Sequence, residues 1–133
     1  MRKKKPAPHR EMLVGTYELC FEHVRLYLQP GSGANTDMLP SDKGVTTIKL
    51  GADVDKWRRV VATALHEAQE ISMTRLGYSY FPSQSMNGST ANCCFILNHE
   101  QFTECCERSA EFIASALPAL ATAWKKWKAK SRG

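Results

Sequence analysis

The expected fold is α+β: a small two- to three-stranded sheet packed by a long helix and by a second long, kinked helix near the C-terminus. Three observations carry that expectation. Gly44–Leu50 (GVTTIKL) is a β-branched run bounded by glycines, the signature of a strand. Trp57, Val60, Val61, Ala64, Leu65, Ala68 and Ile71 recur at helical spacing and form one apolar stripe. Phe102, Cys105, Cys106, Ser109, Phe112, Ile113, Ala116, Leu117, Leu120, Trp124 and Trp127 form a second, longer stripe of the same period. Strands followed by helices, without regular alternation, place helices on one face of a small sheet.

Taken in order, residues 1–10 read as a disordered basic lead. Residues 11–16 are a helical turn or the approach to a strand. Tyr17–Leu28 (YELCFEHVRLYL) alternates Tyr17, Leu19 and Phe21 with polar neighbours, then slips after His23, where Val24, Leu26 and Leu28 become the apolar set. A strand with a bulge explains the slip, and so does a helix. Residues 29–43 are dense in Pro, Gly, Ser, Asn and Asp and read as a long loop. The strand at Gly44–Leu50 is expected to pair with the first one. Asp53 or Asp55 is the expected cap of the first helix, which stops at Gly77. After a second loop to Thr90, Ala91–Leu97 (ANCCFIL) reads as a short buried strand. Asn98 caps the last helix, and Gln101 three residues on completes a capping box. Pro118 lies inside that helix, so a kink or break near Ala116 is expected.

A chain of 133 residues suits one domain with one core. We place it at 11–124, between the lead 1–10 and a basic tail at 125–133. The hydrophobic fraction of 43% is ordinary for a globular protein. No apolar run approaches the roughly 20 residues of a membrane span, and no apolar segment follows Arg2–Lys5 as a signal peptide requires. The chain therefore reads as cytoplasmic. The formal charge of +5 conceals an uneven distribution, because each tail holds five Lys or Arg while the body holds all 13 acidic residues. No aromatic residues interleave the N-terminal charges, so nucleic acid is not the expected partner. Five cysteines, an odd number in adjacent pairs rather than C-x-x-C, fit small apolar roles in a reducing compartment.

The chemistry concentrates in Val60–Glu70 (VVATALHEAQE). His66 and Glu70 are four apart and share a helix face, so one metal ion can sit between them. Glu67 lies about 100° round the helix, where it can lean on a metal-bound water. The pair faces away from the apolar stripe, where it either sits on the solvated face of the helix or is covered by the last helix. His99, at the inward side of that helix's first turn, is the best-placed third ligand. His23 is a further candidate, and Glu100 and Glu104 project outward. Two histidines and one glutamate form a catalytic zinc set, and the carboxylate also admits manganese or iron.

With those residues on the page, Val60–Glu70 preceded by Gly44–Leu50 resembles the active-site helix and edge strand of the zincin metallopeptidases. The likeness is to their minimal bacterial and phage forms. The resemblance implies His66 as first zinc ligand, Glu67 as general base and His99 as the later ligand. Glu70 stands where that family has a second histidine, giving H-E-x-x-E. The implied function is a metal-dependent peptidase or amide hydrolase. Its edge strand would hold an extended peptide, framed by the loops 29–43 and 77–90. The alternative is a non-catalytic phage or mobile-element accessory protein that binds a host protein through the late helix at Trp124 and Trp127.

Overall fold

The computed structural model describes residues 11–36, 45–77, 79–80 and 94–131. The expectation for residues 1–10 lies outside this set, as do most of the two long loops. The elements run β1 (Met12–Leu19), β2 (Glu22–Gln29), β3 (Ala34–Thr36), β4 (Val45–Gly51), α1 (Trp57–Arg75), β5 (Ser79–Tyr80), β6 (Cys94–Phe95) and α2 (His99–Ser131). The class is α+β. The main sheet has four strands in the order β1-β2-β4-β3, one more than the two or three expected. β5 and β6 form a separate two-stranded ribbon.

The extra strands come from two places. The slip in the Tyr17–Leu28 pattern is a chain reversal, not a bulge or a helix. β1 and β2 pair antiparallel across Cys20 and Phe21, which sit at φ 49° and 66°. Two residues at positive φ give a hairpin turn whose twist matches that of the strands. Neither is the Asn or Gly that normally marks such a turn. A bulge does occur, in β1 between Leu13 and Gly15. The fourth strand, β3, emerges from the Pro/Gly-rich loop.

β4 runs parallel to β2 on one side and antiparallel to β3 on the other. The strand expected at the edge is therefore interior, and β3 takes the edge. Alternation then sorts the faces. Val24, Leu26 and Leu28 of β2 and Thr46, Ile48 and Leu50 of β4 are fully buried beneath the helices. His23 and Arg25 face solvent on the other side, and Lys49 pairs there with Glu11 at 2.7 Å.

α1 buries Val60, Ala64, Ala68 and Ile71 against the sheet. It ends as expected at Gly77, where φ 79° suits a residue without Cβ. Its start departs from expectation: the N-cap is Lys56, with no side-chain bond. Asp53 instead accepts hydrogen bonds from the Gly31 amide at 2.7 Å and from the Trp127 indole at 2.9 Å. The capping box of α2 forms in both directions. The Gln101 amide donates to Asn98 Oδ1 at 2.9 Å, and the Asn98 amide donates to Gln101 Oε1 at 2.8 Å.

α2 then runs 33 residues as one helix through Pro118, so there is no break into two. It also continues through most of the segment read as a basic tail. Trp127 is buried there, and Trp124 stacks on Trp57 with ring centroids 5.7 Å apart while its indole donates to Ala52 O. Trp127 is part of the core, and Trp124 packs partly buried against it. Phe112, fully buried, meets Tyr17 edge-on at 6.0 Å and ties α2 to β1.

Candidate metal centre

α1 lies over the β4–β3 side of the sheet, and this decides which of its polar residues is covered. Three residues on from Ala64, Glu67 points toward β3 and is 7% exposed. The Thr36 hydroxyl of β3 donates a hydrogen bond to Glu67 Oε2. Thr36 faces the helix because it pairs with Ile48, itself buried on that side. The edge strand thus supplies the partner that a buried carboxylate requires.

His66 and Glu70 flank this carboxylate toward solvent. The His66 side chain is 64% exposed and that of Glu70 18%, with His66 Nε2 and Glu70 Oε1 3.1 Å apart. One ligand atom from each of His66, Glu67 and Glu70 lies within 4.8 Å of the other two. Two donors at about 2.1 Å from a tetrahedral ion sit roughly 3.4 Å apart, so the His66–Glu70 edge already has that span. Glu67 is held in place through one oxygen by a hydroxyl, as metal-binding carboxylates commonly are. The three donors are near enough for a small divalent cation to draw them together.

The electrostatics point the same way. Burial raises the Glu70 carboxyl above its ordinary range; the His66 imidazole pulls it back, and the neighbouring Glu67 charge pushes it up further. Two carboxylates converge on one spot beside an exposed imidazole, and a cation there would stabilise both.

Other expected ligands are placed elsewhere. His99 is exposed in the first turn of α2 rather than directed inward, and it is not part of the cluster. His23 is exposed on the outer face of the sheet. The cover over the site also differs from expectation. α2 meets α1 along Gln69 and Ser72, through Cys105 Sγ to Gln69 O at 3.8 Å and the buried Ser72–Ser109 hydroxyl pair. The cover beside Glu67 comes from β3. Sequence reasoning missed Thr36, and nothing in Ala34–Thr36 within a loop-like stretch signalled it.

Comparison with protein families, curated proteins and solved structures gave no match. The chemistry of the site therefore rests on its own residues. Among the described cysteines, Cys20 and Cys105 are buried and free, and burial raises both thiols, which keeps them protonated and unreactive. They join no metal-binding group among the described residues. No helix among the described residues is long and apolar enough to cross a membrane.

Proposed function

We propose that this protein binds a divalent metal ion, zinc in the first instance, on α1 through His66, Glu67 and Glu70, and uses it for zincin-like hydrolysis of a peptide or amide bond. The observation that supports this reading is the convergence of one imidazole and two carboxylates within 4.8 Å, with the buried carboxylate oriented by Thr36. A bound zinc ion supplies Lewis acidity and an activated water. The residues divide the remaining work. His66 and Glu70 hold the exposed side of the site. Glu67, anchored through Oε2, would complete the three-residue set through its other oxygen. His99 is not needed for the three-residue set and becomes a dispensable surface histidine.

Calorimetric titration of the full chain with zinc tests the proposal. A single ion per chain should bind, and His66→Ala and Glu70→Ala should each abolish it, while His99→Ala should leave it intact. Absence of zinc binding by the unaltered chain overturns the reading.

The second reading, a non-catalytic accessory protein of phage or mobile-element type that binds a host protein, draws on a different observation. Phe21, Ile96 and Phe102 are 84%, 67% and 52% exposed, large apolar side chains of the kind a protein partner covers. Zinc binding without cleavage of any member of a fluorogenic peptide set favours this second reading.

A further inference from the structure

β1 is the other edge strand, and among the described residues nothing pairs with its outer side. Edge strands are normally blunted by Lys, Pro or short length. β1 is eight residues long, and Met12, Leu13 and Val14 form an uncharged run in it. Leu13 is 55% exposed, Met12 and Val14 are half-buried against the core, and the bulge at Leu13–Gly15 leaves Val14 without a strand partner.

A groove of about 590 Å3 runs along this edge, floored by Leu13 and Val14 and walled by Pro118, Ala119, Lys126 and Lys130 of α2. Ala119, Thr122, Lys126 and Lys130 recur at spacings of three and four, so one face of α2 forms the whole wall. From Pro118 to Lys130 the wall is roughly 18 Å long, the length of about five extended residues. Lys126 and Lys130 are exposed, and no carboxylate lines the groove.

We propose that this groove binds an extended, acidic segment of a partner protein, which adds as a fifth strand on β1. Backbone pairing along β1 supplies the affinity, and the apolar floor takes alternate side chains. Lys126 and Lys130 select carboxylates at the end nearest the C-terminus of α2. The charge pattern rules against the other occupants. Residues 1–10 hold five basic and no acidic side chains, so the segment preceding β1 is repelled by the same lysines. A second copy would bring an identical lysine pair to the seam. The site lies at the opposite edge of the sheet from His66, Glu67 and Glu70 and does not depend on a metal ion.

The test uses the full chain and a fluorescently labelled extended peptide, Val-Thr-Val-Thr-Glu-Thr-Glu, whose valines and glutamates share one face, followed by anisotropy. Saturable binding is expected, weakened by added salt, weakened about tenfold by K126E/K130E, and unaffected by a chelator. The version with lysine in place of glutamate should not bind, and N-methylation of alternate amides should abolish binding. Both substituted lysines are exposed, so that variant should fold, which its circular dichroism checks. No saturable binding, equal binding of the lysine peptide, equal binding of the methylated peptide, or an unchanged affinity in K126E/K130E each overturns the proposal. A dimer in light scattering that Leu13→Lys dissociates also overturns it, by assigning the edge to a second copy.

Discussion

Thr36→Val separates the fold from the site more cleanly than any substitution of a candidate ligand. Valine matches threonine in shape and keeps the β-branch that suits β3, so packing against Ile48 is retained. What is lost is the hydroxyl donor to Glu67 Oε2. Glu67 is 7% exposed, so water cannot simply take the place of that donor. A hydrogen bond to a charged partner contributes about 1.5–3 kcal/mol, and a buried acceptor left without it costs about as much. We therefore expect Thr36→Val to lower unfolding free energy by about 2 kcal/mol in urea titrations at neutral pH, with an unchanged denaturant slope. In a Glu67→Gln background the same substitution should cost only about 1 kcal/mol, because the acceptor is then neutral. If the proposed site holds zinc, losing a partner that orients a ligand should also weaken zinc binding by roughly 10–100-fold. A loss below about 0.5 kcal/mol in the first background, or equal losses in both, would refute the argument that β3 anchors a buried carboxylate.

Three further outcomes follow from the same contacts. The Glu70 carboxyl is raised by burial, so the folded chain holds that proton more tightly than the unfolded one. Its unfavourable contribution therefore grows as pH rises through and above the ordinary carboxylate range. Glu70→Gln should raise the melting temperature of the metal-free protein at neutral pH and leave it nearly unchanged near pH 4, about the ordinary carboxylate value; a uniform effect across pH would count against this. Arg75 in the last turn of α1 pairs with Glu22 at 2.6 Å and reaches Thr46 at 3.4 Å. Arg75→Met should cost about 2 kcal/mol in the same denaturation assay, since it leaves a half-buried carboxylate with the Thr46 hydroxyl as donor and no cation. Phe21 sits at φ 66° and is 84% exposed, with Arg108 over its ring at 4.6 Å. Relief of the left-handed strain is worth about 1–2 kcal/mol and loss of the ring contact costs about 0.5–1. Phe21→Gly should therefore stabilise by about 0.5–1 kcal/mol, read as a higher urea midpoint.

The parts of this fold that were legible in the sequence are those fixed by local chemistry. The stripe on α1, the glycine that ends it and the Asn98–Gln101 box all depend on residues within a few positions of one another. The Cys20–Phe21 reversal was not legible because neither residue is a turn former; strand pairing imposes positive φ on both. The edge assignment of β4 failed for a different reason. Periodicity identifies a strand but not its neighbours, and β3 is too short to show any period. The same blindness affected the site. Helical spacing correctly brought His66 and Glu70 within 3.1 Å. It could not reveal that Glu67 would be covered by a strand 31 positions earlier, or that His99 would face solvent.

That dependence of the site on β3 leads back to Gly51, at the end of β4. Three hydrogen bonds fasten the chain leaving β4 to the end of β2 and the loop before β3: Gly51 N to Gly33 O at 2.6 Å, Ala52 N to Gln29 O at 2.9 Å and Asp53 N to Gly31 O at 2.9 Å. The loop can approach this closely only because Gly51 has no side chain. A Cβ there would meet Gly33 O at 2.5 Å, Gly31 O at 2.6 Å and the Ser32 carbonyl carbon at 2.7 Å, all of them backbone. None of these can rotate away, so Gly51→Ala must displace the loop. Overpacking of this kind costs about 1–3 kcal/mol. The displacement propagates along a short lever, because β3 begins at Ala34 and its register holds Thr36 opposite Ile48. We expect Gly51→Ala to lower stability by that amount and also to accelerate amide exchange in β3, while exchange in β1 and β2 changes little. If the proposed site holds zinc, its affinity should fall alongside, though Gly51 is no part of the cluster. Slowed or unaltered exchange at Asn35 and Thr36 would mean that β3 holds its place without the glycine contact, and that Glu67 is positioned by α1 alone.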